Sequence, residues 1–142
     1  TKEMMRAALE GLTGEDGSRP LLIAVTMLTS TDQKAMEEDL LIHEPLGDVV
    51  MHYAKNAKEA GLDGIVCSPL EAKAVHDACG EDFLTVTPGI RFPESAGDDQ
   101  KRIMSPEKAK AEGCDYIVVG RPVTQAGDPV AAYERCIREF TE

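Results

Sequence analysis

Apolar positions along this chain follow two spacings in turn, one helical and one continuous. Met5, Leu9 and Leu12 repeat at helical intervals, which predicts an amphipathic helix over residues 1–12. After a polar turn from Gly14 to Pro20, the run Leu21-Leu22-Ile23-Ala24-Val25-Thr26 is unbroken. It reads as a strand covered on both faces in a parallel sheet. A polar stretch over Thr31–Asp39 and a short apolar Leu40-Leu41-Ile42 lead to Pro45. Leu46, Val49, Val50, Tyr53, Ala54, Ala57 and Ala60 then make one helical stripe, with Gly61 at the position where left-handed backbone ends a helix.

The alternation continues. Gly64–Cys67, Phe83–Thr87 and Tyr116–Val119 read as strands, and helices are predicted to open at Ser68-Pro69, Ser105-Pro106 and Asp128-Pro129. Each opening has a capping side chain followed by proline at the first helical position, and Ser68 with Glu71 completes a capping box. Val130, Tyr133, Ile137 and Phe140 share a face of the last helix. Gly61-Leu62-Asp63-Gly64-Ile65-Val66 is echoed by Gly113-Cys114-Asp115-Tyr116-Ile117-Val118. In both, a helix ends on glycine and an aspartate leads into a buried strand. The long segment Arg91–Met104, rich in Gly, Asp and Ser, reads as a loop, with residues 92–101 expected to act as a lid over a ligand.

A leading helix and four strand–helix units imply a parallel sheet with right-handed crossovers. The fold class is α/β. Residues 1–142 are expected to form, as one domain, the C-terminal half of a β/α (TIM) barrel, whose usual size is ~250 residues. A flavodoxin-like sandwich is the alternative and keeps the same loops at the carboxyl ends of the strands.

Charge narrows the partners. The formal net charge of −11 argues against a nucleic-acid surface, which needs clustered Lys and Arg. No apolar run is long enough to cross a bilayer and no charged-then-apolar leader opens the sequence, so no membrane partner and a cytoplasmic location are expected. The four cysteines contain no CxxC, and Cys67 and Cys114 read as small buried hydrophobes. His43, His52 and His76 read as packing or solvated residues, and no metal cluster is expected.

The chemistry lies at two strand ends. Thr87-Pro88-Gly89-Ile90-Arg91 and Val118-Val119-Gly120-Arg121 each run from strand to glycine to arginine. Glycine lets backbone approach a ligand closely, and the guanidinium fork matches a phosphate. At the ends of consecutive strands, the two make a joint anion site, with Lys101 and Arg102 as further basic residues nearby. Asp63 and Asp115 precede their strands and so belong to the opposite, structural end of a barrel. Thr26, Thr29 and Ser30 are either ligand contacts or a helix cap. No Ser-His-Asp set and no lysine at a strand's carboxyl end appears, so the residues present a binding apparatus without a catalyst.

Several stretches, taken in order, resemble one family. Leu22–Ser30, Gly61–Ser68, Val86–Arg91, Asp99-Gln100-Lys101-Arg102 and Val118–Gln125 closely resemble the C-terminal part of bacterial orotidine 5′-monophosphate decarboxylases, and Met4–Leu12 resembles that family's fourth helix. The resemblance implies a barrel that works as a homodimer and converts orotidylate to uridylate and carbon dioxide without metal or organic cofactor. It implies that Arg91 and Arg121 grip the 5′-phosphate with the Gly120 backbone, and that Gln100 lies on the closing loop. Thr29 and Ser30 then contact the pyrimidine, while Pro88 and Val66 line its apolar side. The family's catalytic lysines and aspartates, including its Asp-x-Lys-x-x-Asp motif, stand before the fourth helix and are matched by nothing in this sequence. The chain is therefore expected to be the substrate-gripping half of such an enzyme, inactive without an N-terminal half-barrel as partner. The alternatives are an inert phosphate-binding half-barrel or a related sugar-phosphate decarboxylase or synthase.

Overall fold

Helix α1, Lys2–Leu12, follows the N-terminal stripe, and Met5 and Leu9 turn that stripe onto the core. The structure is a computed structural model that describes residues 1–94 and 101–142. Strand β1 (Ile23–Val25) is followed by α2 (Gln33–Asp39) and α3 (Leu46–Ala60), then β2 (Gly64–Val66). A 3-10 turn at Pro69–Glu71 runs into α4 (Ala72–Cys79), and β3 (Leu84–Thr87) follows. The chain ends with α5 (Pro106–Ala111), β4 (Tyr116–Ile117), α6 (Arg121–Thr124) and α7 (Pro129–Thr141).

The strands form one parallel four-stranded sheet in the order β1-β2-β3-β4. Chain order equals spatial order, so the sheet winds in one direction. A flavodoxin-like sheet reverses its strand order and is thereby excluded. The arrangement is that of part of a β/α barrel.

Register divides the sheet into two faces. Ala24, Ile65 and Thr85 are aligned partners on the helix side, where Ile65 and Thr85 are fully buried. Val50, Ala54 and Ala57 of α3, Met36 of α2, Val75 of α4 and Phe83 pack on that side as the main core. A smaller cluster of Ala72, Ile90, Ala109 and Cys114, flanked by Ile117 and Phe140, continues it under α5 and α7. On the opposite face, Val25, Val66, Val86 and Tyr116 are aligned in one row across all four strands. Val25 is 61% exposed and Tyr116 55%. The expectation that β1 is covered on both faces is therefore corrected: among the described residues, helices cover one face.

Helix ends follow the sequence signals. Ser68 and Glu71 form the capping box, although it opens a 3-10 turn before α4. Ser105 and Asp128 accept amide hydrogen bonds from Lys108 and Ala131 at the starts of α5 and α7. Gly61 takes the left-handed conformation (φ 93°) that closes α3.

Two elements differ from the sequence reading. The polar stretch at 31–39 contains α2, capped by Asp32 and tied down by one buried residue, Met36. Gln33 joins it to α3 by accepting the Leu46 amide at 2.7 Å. On α7 the expected apolar face is turned outward: Val130, Tyr133 and Ile137 are exposed, while Cys136 is buried and Phe140 packs on the smaller cluster.

Candidate functional site

The carboxyl ends of all four strands open into one cleft of about 430 Å³. Thr29 and Ser30 reach it from the loop after β1, and Val66 from the end of β2. Pro88, Gly89 and Arg91 enter from β3, and Gly120 and Arg121 from β4. Six of the seven sequence-predicted site residues are thus brought together; the seventh, Gln100, lies outside the described residues, as does most of the expected lid at 92–101.

Local structure explains why the arginines are placed there. After β3 the chain turns at Gly89 with φ 87°, and Ile90 forms a parallel bridge with Met104. The Met104 amide donates to the Gly89 carbonyl at 3.1 Å, and the Arg91 amide donates to the Met104 carbonyl at 2.9 Å. Arg91 is buried, and its Nη1 donates to the Ile90 carbonyl at 2.7 Å. Arg121 is half-buried and begins α6 directly after Gly120. Backbone structure thus places both arginines at the mouth of the cleft.

Electrostatics and shape agree. Two guanidinium groups line the cleft, and no described lining residue is acidic. In a chain of net charge −11 these two guanidiniums are the charged groups of the cleft among the described residues. The remaining wall is apolar, with Val25, Met27, Val66 and Val118, and the hydroxyl residues Thr29 and Ser30 sit beside it. Such a cleft suits a small molecule with an anionic group at one end and a flat body with a polar edge.

Lys101 and Arg102 behave differently from the expectation that they add charge to the anion site. Lys101 Nζ pairs with Asp32 at 2.6 Å. Arg102 is ion-paired with Glu71, and its Nη2 donates to the carbonyls of Met27 and Leu28, each at 3.0 Å. Burial pushes the Glu71 carboxyl above its ordinary value, against the pull of Arg102 and of the Ser68 amide. Sequence reading gave Glu71 only a capping role, and its second partner lies too far along the chain to be signalled locally.

The other end of the sheet is separately organised. Asp63 accepts from Arg19 at 2.6 and 2.9 Å and from the Leu22 amide at 2.7 Å. Asp115 accepts from the Thr85 amide at 2.7 Å and hydroxyl at 2.9 Å, with buried His76 3.1 Å away. Both aspartates lie at the amino ends of strands, away from the cleft. The four cysteines are buried as free thiols, and burial raises the Cys67 and Cys114 thiols above their usual range. Among the described residues no cluster of three or more His, Cys, Asp or Glu is placed to hold a metal ion, and no helix is long and apolar enough to cross a membrane.

Comparison with known proteins gives consistent matches. The family model described as orotidine 5′-phosphate decarboxylase / HUMPS family matches residues 1–136. An orotidine 5′-phosphate decarboxylase of Bacillus caldolyticus is 53% identical over 98% of this chain and 58% of its own length. One from Listeria monocytogenes is 52% identical over 98% of this chain and 60% of its own. The crystal structure of orotidine 5′-phosphate decarboxylase from Lactobacillus acidophilus superposes with a TM-score of 0.80 at 42% identity, covering 100% of this chain and 60% of that one. A Pyrococcus horikoshii structure at 18% identity and a TM-score of 0.62 shares the fold. The chain therefore spans about 58–60% of the length of these curated relatives.

Proposed function

Because the chain belongs to the orotidine 5′-phosphate decarboxylase / HUMPS family, we propose that it is the substrate-gripping part of an enzyme that converts orotidylate to uridylate and carbon dioxide. The observation that carries this reading is the convergence of Arg91 and Arg121 on one cleft with Thr29 and Ser30, with no acidic side chain among the described lining residues. In the proposal the two guanidiniums hold the 5′-phosphate beside the Gly120 backbone. Pro88 and Val66 flank the pyrimidine, and Thr29 and Ser30 meet its polar edge. Gln100 closes over the phosphate, as the family resemblance implies.

The phosphate is remote from the bond that breaks. Its contacts serve the reaction by supplying binding energy that orients the base and excludes water, rather than by bond-making. Decarboxylation also needs a proton donor at the carbon that loses carboxylate. No Asp-x-Lys-x-x-Asp sequence occurs in residues 1–142, so that proton comes from groups supplied by an N-terminal half-barrel. The complete enzyme is proposed to act as a cytoplasmic homodimer without metal or organic cofactor.

The test is turnover of orotidylate by residues 1–142, alone and after addition of the N-terminal half of a relative. Activity only in the mixture is expected. Turnover by the chain alone places the catalyst within these residues and overturns the division of labour. A mixture that assembles and binds uridylate but stays inactive favours an inert phosphate-binding half-barrel.

A further inference from the structure

The segment Lys101–Met104 is fastened to the ends of three strands. Its Met104 is bridged to the β3 turn as described. The amides of Lys101 and Arg102 both donate to the Thr29 carbonyl at 3.2 Å. The Arg102 carbonyl accepts from Ser68 Oγ, after β2, at 3.4 Å. Arg102's side chain then reaches past its own backbone contact: one nitrogen pairs with Glu71, and the other takes the carbonyls of Met27 and Leu28, the two residues immediately before Thr29. Glu71 is fixed in turn by the Ser68 amide, which donates to its Oε2 at 2.8 Å.

We propose that Arg102 and Glu71 form a positioning latch that sets where Thr29 and Ser30 stand relative to Arg91 and Arg121. The latch rests on the nucleotide reading of the cleft given above. The two side chains are only 11% and 10% exposed, and neither lines the cleft. They act on the site through the backbone of the β1 loop. Their burial makes the pair mutually dependent, since removing one partner leaves the other charge out of water and uncompensated. Arginine is required rather than any cation. Its planar fork spans a carboxylate and two carbonyls at once, and a lysine ammonium reaches one side or the other.

The backbone of Lys101–Met104 touches both ends of the cleft, whereas the Arg102 side chain reaches the Met27–Leu28 end, and that separates a latch from a general brace. Arg91 is held by Met104 and Ile90, and Arg121 by its place at the start of α6. The side chains of Arg102 and Glu71 hold the Met27–Thr29 segment instead. Loosening them should therefore disturb recognition of the base and spare recognition of phosphate.

The experiment is calorimetric titration of the 142-residue chain with uridine 5′-monophosphate and, separately, inorganic phosphate, using Arg102→Lys, Glu71→Gln and Arg121→Ala. Arg102→Lys and Glu71→Gln are expected to weaken the nucleotide about tenfold while leaving inorganic phosphate within about twofold. Arg121→Ala should weaken both. If Arg102→Lys does not fold, Glu71→Gln carries the same comparison. Equal loss of both ligands in the latch variants reduces the pair to a structural brace, and no loss of either removes it from the site; both results overturn the proposal. If Arg121→Ala leaves phosphate affinity intact, the nucleotide reading itself fails and the latch falls with it.

Discussion

Asp63 and Leu22 are joined reciprocally: the Asp63 carboxylate accepts the Leu22 amide at 2.7 Å, and the Asp63 amide donates to the Leu22 carbonyl at 2.9 Å. The pair sets β1 against β2 before either strand begins. Arg19 closes over the same carboxylate and holds it below the ordinary carboxylate range, with the Leu22 amide adding to the effect.

That lowered value gives a signed pH dependence. A carboxylate more acidic in the folded than in the unfolded chain stabilises the fold above its unfolded value, and loses that contribution as pH falls through the folded value. Asp63→Ala should cost about 1.5–3 kcal/mol near neutrality. In urea unfolding, the gap between native and variant chains should narrow progressively below about pH 4. A gap of constant size down to acid pH would contradict the charge argument.

Arg121→Ala in a complete decarboxylase should remove a charge-assisted contact of about 1.5–3 kcal/mol from the binding of orotidylate. For the corresponding nucleoside, which lacks phosphate, the loss should be much smaller. Steady-state kinetics with both substrates decides, and equal losses would take Arg121 out of the phosphate role.

Gly89→Ala should be severe for its size. The backbone there is at φ 87°, and an added Cβ would lie 2.8 Å from the Arg102 carbonyl and 3.3 Å from a Thr29 methyl. Strained φ alone costs on the order of 1–3 kcal/mol, and the clash falls on the backbone of the latch segment. Thermal unfolding should show a large drop in midpoint, and phosphate affinity should fall with it. A variant as stable as the native chain would mean that the turn relaxes freely.

The aligned row Val25, Val66, Val86 and Tyr116 lies on the face that no helix covers among the described residues, and β1 and β4 are the edge strands of the described sheet. Apolar faces and open edges of this kind drive association. Sedimentation should find residues 1–142 self-associated, and Val25→Lys with Tyr116→Lys should shift the population toward monomer. A native chain that sediments as a single monomer would refute the edge argument.

Local patterns were legible where their physics is local. The capping box at Ser68 and Glu71, the glycine stop at Gly61 and the Gly-Arg strand ends are each written within a few residues, and the structure places them as the pattern implies. Helix α2 escaped notice because a single buried side chain, Met36, makes no periodicity. On α7 two apolar stripes compete, Val130-Tyr133-Ile137 and Cys136-Phe140, and burial of Cys136 with packing of Phe140 on the smaller cluster selects the second. Arg102 read as a free cation because its carboxylate lies 31 residues away and its carbonyl acceptors 74 and 75.

Because the sheet is laid down in chain order, it can also be taken apart in chain order. Tension applied at the C-terminus meets β4 first, and β4 is bonded within the sheet to β3 alone. Its release with α6 and α7 forms the first step. Arg102 then stops the peeling, since its bonds to Met27 and Leu28 tie the segment after β3 directly to the end of β1. The rest of the sheet gives way as one piece, so a single molecule pulled in this geometry should lengthen in two unequal steps.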